Sequence, residues 1–491
     1  MEYEAVIGLE VHVQLRTKSK MWCTCANAFG AAPNTNVCPI CLGMPGVMPV
    51  ANDEALRLTV LTGLLLNSEI PPRAKFDRKN YFYPDMPKNY QITQYDRPSA
   101  GKGYVEFEFN GGVSRVQITR AHLEEDVGKN SHFERSSGID FNRAGVPLLE
   151  IVTEPDLFSP DQAYEFLNSL KDILMYGGIS DCDMEKGMVR CDVNVSVRPK
   201  GAKELGAKIE IKNMNSFSGV RRALEYEIPR QMDVVKSGGK LIQSTRRWDD
   251  VGGVTEEMRT KEHAHDYRYF PEPDLMPFEP TAQWLEEISS RVVELPLARK
   301  RRFMQEYQLP AGDAEVFKND VPLGNYFEPI AGQSKNPKGI ANWVINNLRA
   351  RIAERKTAEA DAFSEKPETE PANVFAALKF KPESIVELVN LVDSKTISSA
   401  IAQQVFSEMF DTGKSPADIV QEKGLVQVSD TGAIEKFCDE AIAANPNSVA
   451  DYKNGKVAAL NFLKGQVMKL SKGKANPNLV GEILEKKLKG N

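Results

Sequence analysis

Apolar and polar positions alternate with period two along several stretches of the first half of the chain. Val6–Leu15 puts Leu9, Val11, Val13 and Leu15 on one face and Gly8, Glu10, His12 and Gln14 on the other. Val189–Arg198 repeats the pattern, with five apolar positions from Val189 to Val197 opposite Arg190, Asp192, Asn194, Ser196 and Arg198. Ala207–Lys212 is a third case, with Lys208, Glu210 and Lys212 on its polar face. Valine-rich alternation of this kind predicts strands with one buried side. The alternation slips phase at Thr119–Arg120, which predicts a β-bulge just before His122-Leu-Glu-Glu-Asp126.

One helix is well signalled among these strands. Ser159 suits the N-cap and Pro160 the first turn, Ala163, Phe166, Leu167, Leu170 and Leu174 form one stripe, and Gly177 can end it. From about Glu294 the period changes to that of helices. Ala298–Tyr307, Ala341–Arg355, Glu383–Leu391 and Ile397–Phe410 read as helical with no convincing strand between them, as do the last 80 or so residues. Ala358–Asn373, rich in Glu, Pro and Ala, has little to bury and reads as a mobile insertion. The pattern therefore predicts an α+β chain, strand-rich first and helical afterwards.

Composition narrows the class. A chain of 491 residues suggests about three domains, and 41% hydrophobic with 26% charged residues is an ordinary globular balance. The best apolar run, Val60–Leu66, is far short of the roughly 20 residues a membrane span needs. The opening Met-Glu-Tyr-Glu is acidic where an export signal is basic, and seven cysteines is an odd count. Together these predict a cytoplasmic protein with reduced cysteines and no membrane contact. Charge is uneven. Pro446–Asn491 holds nine lysines against three acids, so the first 445 residues carry −12 of a total of −6. A basic tail on an acidic body suits a polyanionic partner, or equally a solvated lysine-rich helix face.

Four of the cysteines fall within nineteen residues as Cys23-x-Cys25 and Cys38-x-x-Cys41. Two close pairs supply four thiolates to a tetrahedral ion, a closed shell that predicts a structural Zn²⁺. Glu10, His12, His122, Glu124, Glu125, Asp126, Glu150, Asp192 and Glu210 offer carboxylates and imidazoles from several strands. Gathered over one sheet face they would hold Mg²⁺ and, through it, nucleotide phosphates; the same alternation also suits a solvated face. Imidazole is a less usual Mg²⁺ ligand, so His12 also suits orienting a substrate. Asp77–Pro84 with Lys88–Gln91 interleaves basic and aromatic residues, a mix that binds phosphate and stacks bases or else forms a surface loop with partly buried aromatics. Asp266–Leu275, with two prolines and three aromatics, reads as a rigid loop, structural or facing phosphate or RNA. No GxxxxGK[ST] loop, GxGxxG, amidase-type serine stretch or glutaminase Cys/His pair is present.

In this order the motifs resemble one family, the GatB subunits of tRNA-dependent amidotransferases. The matching stretches are Val6–Leu15, Phe76–Asp85, His122–Asp126, Asn142–Glu150, Arg190–Ser196, Glu210–Phe217 and Asp266–Leu275, then Asp451–Lys456 and Gly465–Pro477 near the end. The resemblance implies a cradle domain over about residues 1–293 with a zinc module near 23–41. It implies a helical domain over 294–410 and a YqeY-like, tRNA-binding tail over 411–491. It implies ATP- and Mg²⁺-dependent phosphorylation of the side-chain carboxylate of misacylated Glu-tRNA(Gln) or Asp-tRNA(Asn). Ammonia would come from an amidase-type glutaminase A subunit, and a small C subunit would complete a heterotrimer. Carried over by motif, Glu10, His12, Glu124, Glu125 and Glu150 form the metal and active-site cluster, with Glu124, Glu125 and Glu150 facing the cofactor. Lys79, Arg190, Asp192, Asn194, Glu210 and Lys212 line the phosphate and acyl end. Two other readings remain beside this one: a non-catalytic RNA-binding scaffold, and a stand-alone amide ligase acting on a small acid.

Overall fold

The protein is described from a computed structural model covering residues 2–260, 267–362, 374–426, 431–471 and 473–489. It divides into two compact units, Met1–Arg299 and Lys300–Asn491.

The first unit is built on an eight-stranded sheet. Its strands in chain order are β1 (Tyr3–Gln14), β2 (Gly103–Phe109), β3 (Gly112–Glu125), β4 (Pro147–Thr153), β5 (Val189–Pro199), β6 (Ile209–Lys212), β7 (Ser244–Asp249) and β8 (Val254–Thr260). Across the sheet the order is β8-β7-β6-β5-β1-β4-β3-β2. All neighbours are antiparallel except β6 and β7. The crossover joining that parallel pair is helix α3 (Phe217–Lys236), capped by the Ser216 hydroxyl, which accepts the Gly219 N–H at 2.9 Å. The phase slip expected at Thr119–Arg120 is a register shift between Ile118 and Arg120.

Helices cover one face of the sheet. Helix α1 (Asp53–Leu65) packs on β3, α2 (Pro160–Tyr176) packs on β2 and α3, and α3 packs on β5 and β8. Helix α2 has the predicted ends: the Ser159 hydroxyl accepts from Gln162, Pro160 sits in the first turn, and Gly177 caps the C-terminus. Its stripe of Ala163, Phe166, Leu167, Leu170 and Leu174 is buried in one core with Ile7, Leu9, Val11 and Val13 of β1. Because side chains alternate along a strand, burying those four turns Glu10, His12 and Gln14 to the opposite face. A smaller three-stranded sheet (Asp77–Asn80, Tyr90–Thr93, Phe270–Pro271) completes the unit.

The second unit is helical among the described residues and contains two separate apolar cores. One runs from Phe303 to Val420, the other from Ile434 to Leu488. Two helices, Ala311–Asn319 and Val321–Ala331, add to those expected. The stretch expected as a single helix over Ala341–Arg355 is broken by a π-turn, Trp343–Leu348. Of the stretch expected to be a mobile insertion, residues 358–362 continue the helix Arg349–Ala362 and 363–373 lie outside the described residues. No helix among the described residues is long and apolar enough to cross a membrane.

Candidate active site and cysteine centre

The polar face of β1 is bordered by β4 on one side and β5 on the other, and register decides which groups meet. His12 stands opposite Glu150 of β4, and Glu150 in turn stands opposite His122 of β3. Glu10 stands opposite Asp192 of β5, and Asn194 of β5 stands opposite Glu210 of β6. Two metal-capable groups result, each with its ligand atoms within 4.8 Å of one another: His12, Glu124 and Glu150, and Glu10, Asp192 and Glu210. The single cluster expected from sequence is therefore two, with Glu10 and His12 assigned to different ones.

In the first group the His12 Nε2 lies 3.4 Å from Glu150 and 3.8 Å from Glu124. His122, buried on the far side, lies 3.5 Å from Glu150 and 3.9 Å from Glu124. Burial opposes a charged His12, but its bond to Glu150 and the charges of Glu124, Glu150 and Asp192 outweigh it and raise the pKa. Burial pushes His122 down to about 4, so this second imidazole is neutral near pH 7. Burial, then the neighbouring Glu150, lifts Glu124 to about 7. Burial also disfavours ionised Glu150, yet the two imidazoles and Lys79 more than offset it and hold its carboxyl below the usual range. A pair of carboxylates driven apart in this way is typical of sites that bind metal or move protons.

In the second group Lys212 bonds Asp192 and, at 3.0 Å, Glu210. Burial works against its charge, but the two carboxylates raise its pKa. Thr245 donates to Glu210 at 2.8 Å and the Asn194 amide donates to Glu10 at 2.8 Å. The Asn194 Oδ1 is buried with no partner among the described residues, an oxygen still available to a ligand. Hard oxygen donors with one open amide oxygen fit a divalent cation of the Mg²⁺ type.

Glu125 does not join either group. Adjacent strand residues face opposite ways, and its carboxylate takes Lys88 Nζ at 2.5 and 2.6 Å and the Ile92 N–H at 2.9 Å. That buried ion pair holds Glu125, expected as a metal ligand, apart from both groups. Arg190 bonds Asp126 at 2.9 Å, while Arg143 approaches the same carboxylate at 3.6 Å and Gln14 donates to it at 2.9 Å. Lys79 lies over the Tyr267 ring, 5.1 Å from its centre, and its charge acts on Glu124 and Glu150. His122 and Asp126 are among the groups expected from the strand pattern to gather on this face, but the family motifs carry over no role for either. Their position after the bulge, two and six residues beyond Arg120, is what turns them to that face.

Beyond Gln14 the face opens into a cleft of about 830 Å³, lined among others by Arg16, Lys129, Arg143, Lys186 and Arg190 and by residues of the cysteine loop. Neither carboxylate group lines this cleft, which meets their neighbourhood at Gln14 and Arg190. Two guanidinium groups sharing the one Asp126 carboxylate leave a positive charge at that junction.

The four cysteines close a third group, again within 4.8 Å. The Cys38 N–H donates to the Cys41 sulfur at 3.0 Å. Cys41 is the most readily ionised, down to about 4, chiefly because the Cys23 thiol donates to it, with the Cys38 N–H and the Lys20 charge assisting against burial. Four sulfurs already converged around one point fit a tetrahedral soft or borderline ion.

Known proteins are similar to this chain in sequence over nearly its whole length. The family described as "GatB/GatE catalytic domain" matches residues 5–286, and the one described as "GatB domain" matches 325–488. The B subunit of the aspartyl/glutamyl-tRNA(Asn/Gln) amidotransferase of Caldicellulosiruptor saccharolyticus is 52% identical over 490 residues, covering 99% of both chains. That of Caldicellulosiruptor bescii is 53% identical over 490 residues with the same coverage. That of Methylacidiphilum infernorum is 50% identical over 501 residues, covering 100% of this chain and 99% of the relative.

Proposed function

This chain belongs to the GatB family of tRNA-dependent amidotransferases, and from that membership we propose that it carries out the carboxylate-activating half of the reaction. The substrate is Glu-tRNA(Gln) or Asp-tRNA(Asn), and the first step is attack of the side-chain carboxylate oxygen on the γ-phosphorus of ATP, releasing ADP. The acyl phosphate then takes ammonia at its carbonyl carbon, and phosphate leaves with the C–O bonding pair. Phosphorylation is needed because a free carboxylate has only oxide to expel. Mg²⁺ held by His12, Glu124 and Glu150, and by Glu10, Asp192 and Glu210, would neutralise charge on the phosphates. Lys79, Arg190 and Lys212 add fixed positive charge around the transferring group, and Asn194 orients Glu10.

The observation that carries this reading is the pair of carboxylate groups side by side on one sheet face. A scaffold that only held RNA would have no use for acids there, since they repel phosphate unless cations intervene. The basic cleft beside Arg190 suits entry of the acylated RNA end. Within the chain, residues 1–293 are the catalytic domain, 294–410 a helical domain and 411–491 a tRNA-binding tail whose excess lysines meet phosphate. The four cysteines hold a structural Zn²⁺ with no open position for chemistry. An amidase-type glutaminase A subunit supplies ammonia, and a small C subunit completes the assembly.

The test incubates the reconstituted complex with Glu-tRNA(Gln), ATP, Mg²⁺ and an ammonium salt in place of glutamine. Amidated tRNA and ADP should form together, and Glu150→Gln should abolish both while leaving the partner's glutamine hydrolysis intact. Amidation at an unaltered rate by Glu150→Gln would remove the carboxylate groups from the mechanism.

A further inference from the structure

Lys20 is 0% exposed, among the largest side chains entirely removed from solvent. Its ammonium donates to one acceptor, the Asn36 carbonyl at 2.9 Å, and no carboxylate pairs with it among the described residues. Other enclosed lysines end on acids: Lys88 on Glu125 at 2.5 Å and Lys300 on Glu315 at 2.6 Å. An isolated ammonium in a low-dielectric interior is costly and persists only where a counter-charge lies close.

Among the described residues the negative charge on which Lys20 acts is sulfur, that of Cys41. The Lys20 N–H donates to the Cys25 carbonyl at 2.9 Å, and Asn36, its side-chain acceptor, lies between the two cysteine pairs. Gly145 separates the lysine stem from Cys41: a methyl group placed there would lie 3.8 Å from Lys20 Cδ and 3.7 Å from Cys41 Cβ. Four thiolates around one divalent ion carry two excess negative charges, and water does not reach Lys20 to share in balancing them.

We propose that Lys20 is the buried counter-cation of the four-cysteine centre, halving its excess charge and setting how tightly the metal is held. The inference rests on the zinc reading given under the proposed function. It also explains why the lysine lacks an acid: a carboxylate partner would cancel the charge that the thiolates need.

The test compares wild type with Lys20→Gln, which keeps a donor for Asn36 but drops the charge, and with Lys20→Met, which keeps the bulk alone. Competition with a chromogenic chelator at fixed pH should show zinc held at least tenfold more weakly in both, and within about threefold of wild type in Lys20→Arg. In cobalt-loaded protein the thiolate-to-metal charge-transfer band should move to longer wavelength without the lysine, because the sulfur electrons are then less stabilised. A second comparison uses the chain with all four cysteines changed to serine. There Lys20→Met should raise the melting temperature by removing an uncompensated charge, whereas in the zinc-loaded parent it should lower it. A merely packing role predicts the same sign in both backgrounds and no band shift, and either result overturns the inference. Wild-type protein without zinc would instead overturn the zinc reading itself.

Discussion

The cysteine centre and the carboxylate face are two ways of gathering ligands in one unit. The cysteines come from nineteen consecutive residues and need only a loop. The carboxylate groups draw on five strands between Glu10 and Glu210, and each ligand owes its place to register rather than to its neighbours in sequence. The first is soft, locally encoded and closed; the second is hard, non-local and flanked by basic groups. A locally encoded site supports structure, while a site spread over many strands can place charge wherever a reaction develops it.

The sharpest division between them is in turnover. His12→Ala or Glu150→Gln should cost on the order of 10² to 10³ in amidation rate or more, with ammonium giving no rescue and the melting temperature little changed. The complementary change, Cys38→Ser with Cys41→Ser, should abolish bound zinc and lower the melting temperature, as loss of a structural metal does. Amidation at a temperature where this variant is folded should stay within about tenfold of wild type. A cysteine variant that is stable but inactive would erase the contrast.

A finer distinction lies in protons. Metal ligands must be deprotonated, and Glu124, lifted to about 7, still carries its proton at pH 6. Mg²⁺ binding should therefore displace that proton, and that of the raised His12 imidazole with it, and tighten as pH rises from 6 towards 8, by up to about tenfold per unit for each proton displaced. Calorimetry in buffers of different ionisation enthalpy should record the released protons, and Glu124→Gln should weaken the pH dependence, leaving the part that the raised His12 imidazole contributes. The smallest expected effect concerns Glu125. Glu125→Gln should leave Mg²⁺ affinity within about twofold while lowering stability, because it strands Lys88 without its acid. A larger loss of Mg²⁺ affinity would return Glu125 to the metal site.

Much of this was legible in the sequence where a signal is local. The face of β1, the bulge near Arg120 and both ends of α2 follow from period, phase and capping, and the structure carries each of them. The separation of Glu10 from His12 was not legible, although the two lie on one face of one strand. It depends on β5 and β6 flanking one side and β4 and β3 the other, a pairing across well over a hundred residues. The place of Glu125 outside both groups was hidden for a related reason: its motif neighbour Glu124 is one residue away and so points the other way. In the second unit, Gly312, Pro322, Gly324 and Pro329 interrupt the helical pattern of Ala311–Asn319 and Val321–Ala331, yet Pro322 falls in a first turn where no N–H is needed. The π-turn at Trp343–Leu348 leaves the apolar period almost intact and so leaves little trace.

The central place of β1 has a consequence for biosynthesis. The strand ends at Gln14, but its partner β5 begins only at Val189. At roughly 5–20 residues per second the wait is about 10 to 35 s. Through that interval one edge of an apolar strand stands open, and until β4 and α2 have been made nothing fixes whether Glu10 and His12 or Leu9 and Val11 will face inward. Nascent chains halted before Val189 should accordingly be held by chaperones and be cut readily by protease within Tyr3–Gln14, and chains halted beyond Lys212 should lose both properties together.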